Sequence, residues 1–194
     1  VYTVDAAGNL SAVSTNSVTV DSTAPTASVT QVSIPNTGNA VVQSTETGTA
    51  YLVNSTVTVS NLSSITSAAD NYWNSVVIST ANQATNLSAA GLVNGSYKVF
   101  AVDVAGNLSP VSNNDVTINT TLPTASVTQA TIPNTGNAVV QSTETGTAYL
   151  VNSTVTVSNL SSITSAADNN WNSVVINTAN QATNLSAAGL IDGS

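Results

Sequence analysis

The chain contains no cysteine, no histidine and no methionine. Without thiols there is no disulfide framework, and thiolate or imidazole metal sites are excluded as well. The missing histidine and cysteine also remove the commonest general base and the commonest thiol nucleophile. Basic residues are almost absent: Lys98 stands alone against nine acids, for a net charge of −8. One cation cannot neutralise a phosphate backbone or hold an anionic membrane surface, so neither nucleic acid nor anionic lipid is an expected partner. The longest apolar runs, such as Val99 to Val102, are strand-sized. They fall far short of the roughly 20 residues that span a bilayer as a helix, so no membrane insertion is expected. The first residues already lie inside a strand pattern, which places any export signal outside this sequence.

What is present is repetition. Residues 97–109 read YKVFAVDVAGNLS, and residues 1–11 read VYTVDAAGNLS. Set at an offset of 98, residues 1–96 and 99–194 align without a gap, and sixteen of the ninety-six pairs differ. From Ile34 to Asn71 the copy is unbroken, recurring as Ile132 to Asn169. A period of this size marks an array of similar modules. Each module, at about one hundred residues, is long enough to bury a core without staples.

Short runs rich in Val, Thr and Tyr alternate with Gly, Asn, Pro and Ser, and no 3.6-residue period is sustained. The fold is therefore expected to be all-β. For the middle module the pattern predicts seven strands, near Thr26–Ser33, Asn39–Thr45, Thr49–Val59, Trp73–Ser79, Ala84–Ala89, Ser96–Asp103 and Leu108–Ile118. One helical turn is expected between Leu62 and Asn71. In the sixth strand Tyr97, Val99 and Ala101 share one face and are assigned to the core. Trp73 and Trp171 are assigned to a core or corner in preference to a ligand platform. The segments VTVDSTAPT (residues 18–26) and VTINTTLPT (116–124) read as short linkers, each with a proline that interrupts strand pairing. The chain thus divides into the last two strands of one module (1–20), a complete module (21–118) and the first five strands of a third (119–194).

Seven strands in about a hundred residues is the count of an immunoglobulin-like sandwich. A strand, a VDxAGNLS turn, a second strand and VTVDSTAPT together resemble the bacterial Ig-like domains repeated in giant surface adhesins and biofilm-associated proteins. That resemblance implies tandem immunoglobulin-like β-sandwich modules that serve as non-catalytic stalks at the bacterial cell surface, several types of which bind calcium near their junctions.

In a sandwich of this topology the second-to-third and sixth-to-seventh loops share the pole where the chain enters. Glu46 in the turn TETG and Asp103 in DVAG belong to those loops, and Asp21 lies in the entering linker. Three carboxylates without a nearby cation repel one another unless a metal neutralises them, and calcium takes such an oxygen set. The other reading is that Asp103 caps its own turn and Glu46 is solvated. Asp5, Asn119 and Glu144 mark the equivalent partial junctions, the second weakened because Asn119 replaces the acid. Asp70 and Asp168 read as turn or helix-end caps, and Asp115 and Asp192 as solvated surface. The NLS, NST and NGS triplets match glycosylation acceptors but follow from the Asn- and Ser-rich composition.

No Gly-rich phosphate loop or substrate cleft is legible, so no enzymatic activity is expected. The sequence predicts a structural repeat of a long adhesin or extracellular fibre. Its partners are neighbouring copies of the module, joined covalently or by strand complementation into a filament. A module that binds ligand, a glycan for example, through exposed loops is the competing class, and loops that differ between copies would favour it.

Overall fold

The computed structural model describes residues 1–193, and the chain divides between Thr121 and Leu122 into two units. It is all-β, and among the described residues no helix is long and apolar enough to cross a membrane. The first unit holds β1 (Ala27–Val29), β2 (Val32–Ile34), β3 (Asn39–Ser44), β4 (Gly48–Asn54), β5 (Trp73–Ile78), β6 (Thr85–Ser88), β7 (Gly95–Asp103) and β8 (Val116–Ile118). They form two sheets, in the orders β1-β3-β6 and β2-β8-β7-β4-β5. All pairs are antiparallel except β2 with β8.

Strict alternation builds the core. β3 reads NAVVQS with every second residue buried, and β7 buries Tyr97, Val99 and Ala101 along one face, as their spacing predicts. Ala40, Val42 and Leu87 from the smaller sheet meet Ala50, Leu52, Val116 and Ile118 from the larger. Tyr97 is fully buried, and its hydroxyl donates to the Val93 carbonyl at 2.8 Å, so the polar end of the ring is satisfied at the corner before β7.

Three predicted strands are corrected, the first being Thr49–Val59, which ends as a strand at Asn54. The run Thr26–Ser33 breaks near Thr30 into β1 and β2, which belong to different sheets, so eight strands form rather than seven. The run Leu108–Ile118 keeps only Val116–Ile118 as strand. Upstream of it, the Ser109 and Ser112 hydroxyls accept from the Ala101 and Val99 N–H groups at 2.8 and 2.9 Å. Side-chain oxygens thus take the place of ladder carbonyls beside Pro110, which has no N–H to give. The helical turn is Leu62–Thr66, its start capped reciprocally by Asn61 and Ser64. Trp73 is half-buried and has an aromatic neighbour. Tyr51 on the adjacent strand packs 5.9 Å from it, a cross-strand partner hidden by 22 residues of sequence.

The second unit repeats part of this design with β9 (Ala125–Val127), β10 (Asn137–Ser142), β11 (Gly146–Val151), β12 (Trp171–Ile176) and β13 (Thr183–Ser186). Its sheets are β13-β10-β9 and β11-β12. Ala138, Val140, Ile176 and Leu185 are buried, but the interior is open. Val127 is 58% exposed where its counterpart Val29 is 5% exposed. Residues 1–20, assigned above to two strands, contain a hairpin closed by one isolated bridge, Val4 to Leu10, and are exposed throughout.

Candidate metal centre

Three segments converge at one pole of the first unit. The entering linker carries Asp21, the turn between β3 and β4 carries Glu46, and β7 ends on Asp103, whose register partner is Gly48, the first residue of β4. The linker is tied to that turn by reciprocal bonds. Thr26 N–H donates to Thr45 Oγ1 at 2.8 Å, and Thr45 N–H donates to the Thr26 carbonyl at 3.1 Å. Carboxylate oxygens of Asp21, Glu46 and Asp103 consequently lie within 4.8 Å of one another, with Asp21 exposed, Glu46 half-buried and Asp103 buried. The protein's one cation is no help here. Lys98 sits five residues back along β7, about 16 Å at the strand rise, and donates to the Asn113 carbonyl.

Asp103 is held by its own turn as well. Asn107 donates to it twice, from the backbone N–H to Oδ1 and from Nδ2 to Oδ2, each at 2.8 Å. The same Nδ2 donates to the Asp21 carbonyl at 3.2 Å, so Asn107 links the β7–β8 loop to the linker. The sequence reading passed over this residue, whose only signal is its place beside the turn glycine in the AGN triplet. Withdrawal from water works to raise the Asp103 pKa. The bonds from the Asn107 side chain, and from the backbone N–H groups of Asn107, Gly106 and Ala105, outweigh it and hold the carboxyl below its ordinary 3.8.

This direction fixes a pH dependence. A depressed folded-state pKa contributes stability in full above the unfolded value and loses it as pH falls through the folded one. In chelator, the stability gap between wild type and Asp103→Asn is expected to hold from about pH 7 to 4.5 and to close only below about 3.8. Urea unfolding across that range measures it, and a gap closing above pH 5 would contradict the assignment.

The other acids are placed differently. Asp5 lies in the exposed hairpin, where the Asn9 side chain and backbone are the main donors lowering its pKa. Asn119 belongs to the first unit and Glu144 to the second. Asn119 repeats the linker turn, its Oδ1 accepting from Thr121 N–H at 2.9 Å as Asp21 Oδ1 accepts from Thr23 N–H at 3.0 Å. Asp70 and Asp168 are exposed at the first position of 3₁₀ turns, and the nearby helix starts are capped by Asn61 and Asn159 instead. Asp115 is more than solvated surface. It accepts from Ser96 Oγ at 2.6 Å, and that bond, aided by Lys98, lowers its pKa.

A half-buried set of oxygens from three segments suits a hard cation, which takes carboxylates, carbonyls and water together. No protein-family model matches the chain, and no curated protein matches it in sequence.

Proposed function

We propose that this chain is an extension repeat of a long bacterial surface adhesin or extracellular fibre, built of tandem immunoglobulin-like sandwiches and stiffened by calcium where one module enters the next. The observation that carries this reading is the meeting of Asp21, Glu46 and Asp103 within 4.8 Å, because one of them belongs to the linker and two to the body of the sandwich. An ion bridging them fixes the entry angle of the chain. The near-identity of the copies supports a role in which length and repetition matter more than individual loops. The unbroken copy from Ile34 to Asn71 includes the Glu46 turn, and this weighs against loops diversified for ligand binding.

Small-angle scattering with calcium and then with chelator tests the joint. Calcium is expected to lengthen the maximum dimension and narrow the distribution of shapes, and chelator to reverse both. Scattering curves that superimpose in the two conditions would remove calcium from the proposal.

A further inference from the structure

We propose that β5, and β12 as its counterpart, are edges through which two copies of this chain pair side by side. In the first unit β1 and β2 end the two sheets on one flank of the sandwich, and β6 and β5 end them on the other. The two flanks are built differently. β1 and β2 have three residues each, with Pro25 two residues before the first and Pro35 directly after the second. Short strands and prolines are devices that keep an edge from pairing with another chain. β5 has neither. It runs for six residues, Trp73–Ile78, without proline or charge, and among the described residues it pairs only with β4. Its sheet is otherwise filled, since β5 is the last of five strands, and β12 likewise pairs only with β11.

Charge decides what fits this edge. Of nine acids and one lysine, none falls in residues 71–97 or 169–191, the stretches that hold β5 with β6 and β12 with β13. At a net charge of −8, two copies repel over most of their surface and approach at least cost where both are uncharged. A basic partner would be drawn to the acids instead. A second copy brings the same uncharged strand, and edge strands add to one another through main-chain bonds. Ser75 and Val77 face outward on β5, and Val77 is 66% exposed, as Val175 is 59% exposed on β12. Paired antiparallel about a two-fold axis at Val77, the strand sets Val77 against its own copy and Ser75 against Ser79. The edge is also held ready. Asn74 Nδ2 donates to the carbonyls of Ser88 and Ala90, each at 2.9 Å, which pins β5 to the end of β6, and Asn172 repeats both bonds with Ser186 and Ala188. Little ordering therefore remains to be lost on docking. The contact needs no calcium and rests on the fibre reading only for its multiplicity, because one edge per module lets a small contact gain strength by number.

Sedimentation in chelator tests this apart from the calcium joint. Wild type is expected to be monomeric near about 1 µM and associated by about 100 µM. At the higher concentration, amide hydrogen exchange is expected to slow in residues 73–78 and 171–176. The double variant Val77→Lys/Val175→Lys puts an edge-blocking charge at two exposed positions. It is expected to associate at least about 10-fold more weakly, even though two added cations reduce the protein's net negative charge. Ser28→Lys/Ser126→Lys makes the same charge change at exposed positions of β1 and β9 and is expected to leave association as it is in wild type. A wild type still monomeric at about 100 µM, association untouched by the β5 and β12 variant, equal weakening by both variants, or slowed exchange confined to other strands would each overturn the proposal. The scattering response to calcium would stand in every one of these cases, so the two readings fail separately.

Discussion

Replacing Gly48 with alanine is expected to cost the first unit at least about 3 kcal/mol, whereas the same change at Gly146 should cost only about 1 to 2. Both glycines adopt a φ that side-chain-bearing residues rarely take, +149° and +153°. That conformational strain is common to the two. At Gly48 an added Cβ also runs into the backbone of β7, overlapping the Val102 carbonyl oxygen and lying 2.8 Å from Asp103 Cα. Backbone in the middle of a ladder cannot step aside as the end of a flexible side chain can. Gly146 has nothing within 4 Å among the described residues. The difference between the two variants, measured by urea unfolding, therefore isolates the collision from the strain. Equal losses would mean that β7 does not hold this place against β4 in solution. Displacing β7 also moves Asp103 away from Glu46, so Gly48→Ala should lose any response to calcium, while Gly146→Ala keeps it.

Much of this arrangement was legible because it follows from period-two patterning. Tyr97, Val99 and Ala101 alternate with less buried neighbours, and the convergence of Asp21, Glu46 and Asp103 follows from which loops share a pole once a sandwich is assumed. What escaped was decided by groups far apart in the chain. The alternation of ASVTQVSI slips by one residue at Thr30–Gln31, which marks a break, but nothing local shows that β1 joins β3 while β2 crosses to β8. The shortness of β8 depends on two serine hydroxyls acting as ladder acceptors, and serines in a Ser-rich chain carry no signal of that. Asp115 looked like surface because Ser96, its partner, is 19 residues away on another strand. Asn107 was passed over for a different reason. Its side chain completes the turn and reaches the linker at once, and only the folded pole brings those acceptors to it.

Adding about 10 mM calcium should raise the melting temperature of the first unit by roughly 6 to 11 °C over chelator. Extracellular calcium sites bind at about 0.1 to 1 mM, and a ligand held only by the folded state then adds about 1.4 to 2.7 kcal/mol. For a unit of this size each kcal/mol moves the midpoint by about 4 °C. Magnesium at the same concentration should give less than half the shift, because it dehydrates reluctantly and demands an octahedron that three segments of loop and strand end are not shaped to supply. Glu46→Gln is the decisive variant, since among the described residues no hydrogen bond to the Glu46 carboxylate holds the β3–β4 turn in the way that the bonds from Asn107 to Asp103 hold theirs. It should abolish most of the calcium increment. In chelator it should leave the melting temperature unchanged or slightly raised, because it removes one of three crowded negative charges. A purely structural role for Glu46 predicts the opposite pattern, a loss in chelator and an undiminished calcium increment. The two melts of that single variant therefore separate a metal ligand from a turn residue, whatever happens at the scale of the fibre.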